Sequence, residues 1–206
     1  MKNDDENAVV FDKPALTQRL IAYVIDILLV SFAASLISYP FVDHQKTDQL
    51  NDEYSAIISK VSNQEISIQE YSTDLINIEY AMAQNTGLTR IAAILLGVIY
   101  FVVFQVYHNG QTFGKKLMRI KVISSDGELT INQMIFRSFI ANSLLLDILS
   151  IMFLIFASRS NYCYCVGLFS IIQYVIMIVS FCMVIGNKEG LTIHDRLVHT
   201  KVVKCD

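Results

Sequence analysis

The apolar residues of this chain are gathered into four long runs instead of being scattered at surface-helix spacing. Ile91 to Tyr107 holds 17 residues without a charge, and Tyr162 to Gly186 holds 25. Leu16 to Tyr39 is interrupted only by Arg19 and Asp26, and Ser138 to Ser158 only by Asp147. A helix needs about 20 apolar residues to cross the hydrocarbon core of a bilayer. The runs predict four transmembrane helices, at 16–39, 88–107, 136–158 and 162–186. The second gains length because Leu88 and Thr89 extend it past Arg90. The first run is too long for a signal-peptide core and has no small-x-small cleavage pattern soon after it, so it reads as a retained helix.

The polar stretches have patterns of their own. In the insertion 41–87, Tyr54, Ile57, Ile58 and Val61 follow the i, i+3, i+4, i+7 spacing of an amphipathic helix. Ser67-Ile-Gln-Glu70 is a capping box that would open a second helix, with Leu75, Ile78 and Met82 on one face. A helical hairpin outside the membrane is expected. Its stripe would rest on the bundle or the lipid surface, or serve as a surface for a protein partner. Residues 1–15 read as a flexible polar leader, with Pro14 tolerated beside the first helical turn.

Two further stretches are versions of each other. The segment from Gly110 through Thr112, Gly114, Lys115, Leu117 and Lys121 to Val122 matches the one from Gly190 through Thr192, His194, Asp195, Arg196, Leu197 and Lys201 to Val202. Gly, Thr, Leu, Lys and Val recur in register. Each copy follows two apolar runs, and such self-similarity is a statement about architecture. Thr112 and Thr192 are good N-cap residues. Each copy therefore predicts a short interfacial helix followed by a short strand, and the two strands are candidates to pair. The expected fold is an all-α membrane protein built as two parallel-repeat helix pairs, each followed by one of these segments, with the hairpin outside. Parallel repeats suggest a site between the halves.

Charge sets the orientation. Of the 206 residues 53% are hydrophobic and 17% charged, with a net charge of −3, which fits one domain. Region 41–87 carries eight acids and two lysines, whereas Lys115, Lys116, Arg119, Lys121 and Arg137 follow the second run, and Lys188, Arg196, Lys201 and Lys204 follow the fourth. Positive charge stays inside. Both termini are expected in the cytoplasm, in a cell inner membrane, with the acidic hairpin outside. The basic face would meet anionic lipid headgroups, worth about 1 kcal/mol per charge. Tyr39, Tyr107 and Tyr162 would act as interfacial anchors in a chain without Trp.

Several chemistries lack their residues. The Gly110–Lys116 stretch has one residue too few between its glycines for a phosphate loop, and Lys115 is followed by Lys rather than Ser or Thr. Cys163, Cys165, Cys182 and Cys205 lack zinc spacing. No nucleophile–base pair is apparent. The sequence is read as non-enzymatic, without a metal, a cofactor or a nucleic-acid partner.

The residues that invite chemistry are buried charges. Asp26 falls near the middle of the first run, where a carboxylate costs about 2.5–3.5 kcal/mol on insertion scales. Arg19 lies two turns earlier on the same face, roughly 10 Å away along the axis. It is expected to reach toward the inner headgroups, leaving Asp26 to find a partner on another helix. Arg137 and Asp147 repeat the arrangement in the third run. Two carboxylates brought together there would resist double ionisation, so a shared proton or a bound cation is one outcome. An Arg–Asp set that merely locks helices together is the other. Asp195 is placed to accept from Arg19 or Arg137.

These residues resemble the RDD family of membrane proteins. Arg19 and Asp26 match the family's arginine and first aspartate. Gly110, Thr112, Gly114, Lys115 and Leu117, then Val122, Asp126-Gly127 and Arg137, resemble its inner-face motif. Thr192, His194, Asp195, Arg196 and Leu197 resemble its closing motif. Asp195 is the candidate for the second aspartate, with Asp147 as the alternative. The long acidic insertion and His199 depart from the family pattern. The resemblance implies a largely bacterial membrane protein assisting ion or small-solute transport. On the reading of the residues themselves, Asp26 would be the protonation or cation site with Arg19 tuning it, and a homo-oligomer would help four helices form a pathway. A non-transporting scaffold or assembly partner, acting through the hairpin, is the competing expectation.

Overall fold

The computed structural model describes residues 12–187 and 189–205. Most of the leader and Lys188 therefore lie outside the described residues. The chain is mostly helical. In order, α1 is Leu16–Ser38, with a 3-10 turn at Tyr39–Phe41, α2 is His44–Ser62 and α3 is Ile68–Asn85. Helix α4, Gly87–Val98, runs through a π-helical turn at Ile99–Phe104 into α5, Gln105–Tyr107. Then come α6 (Phe113–Leu117), β1 (Ile120–Ser124), α7 (Ile131–Ala141), α8 (Leu144–Phe156), α9 (Arg159–Gly186), α10 (Ile193–Leu197) and β2 (Thr200–Lys204).

Three of these helical stretches, Leu16–Phe41, Gly87–Tyr107 and Arg159–Gly186, are long and apolar enough to cross a membrane. The expected third span is not one straight helix. It starts earlier, at Ile131, and breaks between α7 and α8 with a 66° bend. Ser143 adopts a left-handed φ of 55° there and makes no side-chain cap. A left-handed residue cannot continue the i to i−4 ladder, so the break follows without proline or glycine. Among the described residues there are thus three candidate spans, or four if the bent pair counts as one. Arg137 accordingly sits inside α7 and does not open a helix.

The contacts divide the chain into two units. The first comprises residues up to Leu29, Ile99–Ser138 and Ile178 onward. Its core is Ala22, Val102, Ile120, Val122, Met134 and Val202. The strands β1 and β2 pair antiparallel, with Val122 opposite Val202. Those two valines hold the same place in the two Gly-x-Thr segments, so the segments meet about a local two-fold at the middle of the ladder. Their backbones agree at three pairs of positions. Gly110 and Gly190 both have positive φ, Thr112 and Thr192 both cap a five-residue helix, and Arg119 and His199 are both left-handed just before their strands. Gly110 also needs its missing side chain for space, because a Cβ there would run into the Val122 carbonyl.

The second unit comprises Val30–Val98 and Phe139–Met177. It holds the hairpin, in which α2 packs on α3 around Leu50, Ile57 and Ile78. The Ser67–Glu70 capping box is present, and the Ser67 hydrogen bonds hold the Glu70 carboxyl below the usual carboxylate range. Asn85 clamps the other end by donating to the Asp43 carbonyl at 2.9 Å and the Thr47 hydroxyl at 2.8 Å. The expected α2 stripe is only partly right. Ile57 is buried, but Tyr54, Ile58 and Val61 are about two-fifths exposed. The hairpin closes on the Leu50–Ile57 line, which is also i, i+7, and α3 touches α4 and α8. Tyr162 is no surface anchor either. It is 3% exposed, and its hydroxyl accepts from Arg90 at 2.9 Å.

Candidate functional site

The first unit contains a set of buried ionisable side chains assembled around the two short helices. Asp26, on α1, is 1% exposed. Its Oδ2 accepts from the Thr112 hydroxyl at 2.5 Å, and its Oδ1 accepts from the Tyr100 hydroxyl at 2.7 Å and the Gly114 N–H at 2.8 Å. A helix leaves its first N–H groups without intrahelical acceptors. Here Gly114 gives its N–H to Asp26, Lys115 gives its own to Thr112 Oγ1, and Phe113 donates to the Tyr100 hydroxyl at 2.8 Å. The partner of Asp26 is therefore the N-terminus of α6 together with the π-helical turn that carries Tyr100. It is not a second carboxylate. A helix N-terminus suits an anion because its N–H groups point outward.

Gly114 makes this docking possible. A Cβ at that position would collide with the Ala22 carbonyl and lie 2.9 Å from Asp26 Oδ1. The backbone of α6 approaches α1 closely enough to hydrogen-bond a carboxylate only because position 114 has no side chain.

Asp195, on α10, is the second buried carboxylate, also 1% exposed. Arg137 Nη1 lies 2.9 Å from its Oδ1, and Arg19 Nη1 lies 3.8 Å from its Oδ2. The Thr200 hydroxyl donates to Oδ1 at 3.3 Å, and the Thr192 N–H donates to Oδ2 at 3.3 Å to complete a capping box. Burial opposes the charge on Asp195, but Arg137 and the Thr192 hydrogen bonds prevail and hold its carboxyl below the usual range. Arg19 does not reach toward headgroups, as the sequence suggested. It donates to the Gly190 carbonyl at 2.7 Å and the Val202 carbonyl at 3.3 Å. Three acceptors within reach hold the guanidinium indoors, although its buried Nε has no partner among the described residues.

Two more titratable groups adjoin the set. Burial, reinforced by the Arg137 charge, pulls the Lys115 ammonium down to about 7 against the opposing pull of Asp26 and Asp195. It makes no hydrogen bond or ion pair among the described residues. Burial and Arg137 likewise hold the His194 ring down to about 3, so at neutral pH it is an uncharged neighbour of Asp195 at 3.9 Å. Its Nδ1 is buried without a partner among the described residues.

Of the residues singled out in sequence, the structure brings together Arg19, Asp26, Thr112, Gly114, Lys115, Arg137, Thr192, His194 and Asp195. Gly110 supports them from the backbone by accepting from Gln105 Nε2 at 2.9 Å. Arg196 points away, exposed. Asp147 belongs to the second unit, in the first turn of α8, where its charged neighbour is Arg90. Sequence reasoning missed Tyr100 and Gln105. The only signal for either is a polar group inside an apolar run.

Two measurements test this geometry. Gly114→Ala is expected to lower stability in detergent by about 1–3 kcal/mol, the range for overpacking. Gly167→Ala, where an added Cβ meets nothing within 4 Å, is expected to leave stability nearly unchanged in the same thermal unfolding assay. The His194 ring is depressed in the folded state, so the unfolded chain binds the extra proton between its ordinary pKa near 6.5 and about 3. Stability should therefore fall as pH drops from about 6.5, approaching a slope of about 1.4 kcal/mol per pH unit. His194→Gln is expected to remove that slope between pH 6 and 4, roughly the span before the carboxylates titrate. Unfolding midpoints across this interval, for both proteins, decide the matter.

Comparison with curated proteins and with solved structures finds no match to this chain. The model of the RDD family matches residues 13–199, most of the chain and all of the buried set, and the protein belongs to that family of membrane proteins.

Proposed function

We propose that this multi-pass protein assists the movement of ions or small solutes across a membrane, with the buried set around Asp26 as the place where charge is exchanged. One observation carries the reading. Arg19 and Arg137 already balance Asp26 and Asp195, so Lys115 is a third cation in a buried set that is neutral without it. A surplus buried ammonium is the group most ready to give up its proton, and Lys115 does so near neutral pH. Loss of the Lys115 proton leaves the set neutral, and a cation taken up beside Asp26 in its place restores the single surplus charge. Proton exchange linked to cation or solute movement is the simplest use of that choice.

The same reading sets the protein in a cell inner membrane of bacterial type, with both termini and the two basic Gly-x-Thr segments on the cytoplasmic side against anionic headgroups. It treats the chain as two repeated halves and as a non-enzymatic homo-oligomer, since three or four spans enclose little space by themselves. A second reading has one observation in its favour. Both Asp26 oxygens are engaged by donors, as a purely architectural carboxylate would be. The protein would then be a non-transporting scaffold or assembly partner, working through the acidic α2–α3 hairpin.

Flux in proteoliposomes separates the two. With the Asp26→Asn protein folded and reconstituted at equal density, transport is expected to fall about 100-fold or more, of the order of one strong charge-assisted interaction. Ion movement at the wild-type rate by the folded variant would refute the transport reading. Deleting residues 48–84 is expected to leave flux intact. Loss of a co-purifying protein with no flux by any form would establish the scaffold instead.

A further inference from the structure

The second unit contains a cavity of about 530 Å³ that has no part in the buried set. Helix α9 forms one wall with Tyr162, Val166 and Gly167, the end of α3 supplies Glu79, α4 supplies Arg90, and α2 contributes Leu50. The volume lies in the range of small-molecule sites, which combine apolar walls with a few convergent polar groups. We propose that this cavity binds a small zwitterion, a molecule carrying an anionic group and an ammonium on a short skeleton.

The argument rests on which polar groups are already engaged. The Asn85 amide is committed to the Asp43 carbonyl and Thr47. The Thr86 hydroxyl donates to the Met82 carbonyl at 2.8 Å, and the Ser170 hydroxyl donates to the Val166 carbonyl at 2.9 Å. Two lining side chains of opposite sign keep hydrogen-bonding capacity free, both exposed at the cavity, with Asp147 as a further charged neighbour of Arg90. Arg90 gives one hydrogen bond, to the Tyr162 hydroxyl, although a guanidinium has five donors in a fixed fork. Glu79 makes no hydrogen bond or ion pair among the described residues. They line one cavity without pairing with each other among the described residues, so an occupant with both charges satisfies both.

The site is held in shape around its cation. Tyr162 is almost fully buried, and its ring packs edge-on against Tyr80 at 5.5 Å. Its hydroxyl therefore stays fixed, and with it the direction of the Arg90 fork. Tyr162 is a positioning residue, and Arg90 and Glu79 are the binding groups. Leu50, Met82 and Val166 supply apolar wall for the short skeleton of such a molecule. Gly167 lines the cavity and nothing lies within 4 Å of where its Cβ would be, so a leucine there adds bulk at the cavity wall without a clash.

A free amino acid and the headgroup of a phosphatidylethanolamine share this chemistry, and thermal unfolding of the whole protein distinguishes them. One arm titrates detergent-purified protein with L-alanine, with acetate and ethylammonium as single-charge controls. The other compares nanodiscs of phosphatidylethanolamine with nanodiscs of phosphatidylglycerol. A rise in Tm with L-alanine well beyond both controls supports a free zwitterion. A rise only in phosphatidylethanolamine supports the headgroup. In either case Arg90→Gln and Glu79→Gln are expected to weaken the effect about tenfold or more each, as loss of a charge-assisted contact does. Gly167→Leu should abolish it with the fold kept and both charges in place. The proposal is overturned if neither zwitterion exceeds its controls, or if Gly167→Leu responds as wild type does. Because the cavity is remote in sequence from Asp26 and shares no residue with the buried set, its failure leaves the transport reading standing.

Discussion

A carboxylate sealed from water must be met by opposite charge or by hydrogen-bond donors, and in this protein that requirement falls most heavily on Asp195. Left alone in an apolar interior it would neutralise rather than stay charged. Arg137 at 2.9 Å, Arg19 at 3.8 Å and the Thr200 hydroxyl keep it ionised. Each of those partners comes from a different stretch of chain, so satisfying one carboxylate fixes α1, α7, α10 and β2 within the first unit. Such a buried set adds little net stability over a well-packed apolar one, but removing a single member leaves an uncompensated charge. What it constrains is how α1, α7, α10 and β2 gather around Asp195.

Asp26 meets the same requirement by another route. Its three donors are two hydroxyls and a backbone N–H, with no cation in direct contact. The two carboxylates thus share a helix-capping environment but not a partner type. Asp195 belongs to the helix whose N-terminus it completes, whereas Asp26 enters from α1 to complete α6. Lys115 holds in the first Gly-x-Thr segment the place that Asp195 holds in the second. Two segments built alike therefore bring opposite charges to one buried set.

Much of this was legible in the sequence, for a physical reason. Apolar runs of spanning length have few alternatives, and N-cap threonines announce short helices wherever they fall. The Gly-x-Thr segments, the Ser67 capping box and the need of Asp26 for a partner could all be read directly. What could not be read depends on long-range packing. Nothing around Ser143 marks it as a left-handed break. Arg19 was expected to turn toward headgroups because the carbonyls of Gly190 and Val202 that receive it come from the far end of the chain. Tyr100 looked like one more apolar-run aromatic. Two overlapping helical stripes of α2 fit the same residues, and only the packing of α3 selects Leu50 and Ile57 as the face that closes the hairpin.

The claim on which the account stands is that Asp195 and Arg137 are coupled members of one buried set. A double-mutant cycle with Arg137→Met and Asp195→Leu, read by unfolding free energy in detergent, measures that coupling directly. Each single variant is expected to lose about 3–5 kcal/mol. The double variant should lose less than their sum by about 2 kcal/mol or more, because it removes the charge that each single variant leaves stranded. Losses that simply add, or that are small in both single variants, would contradict the account.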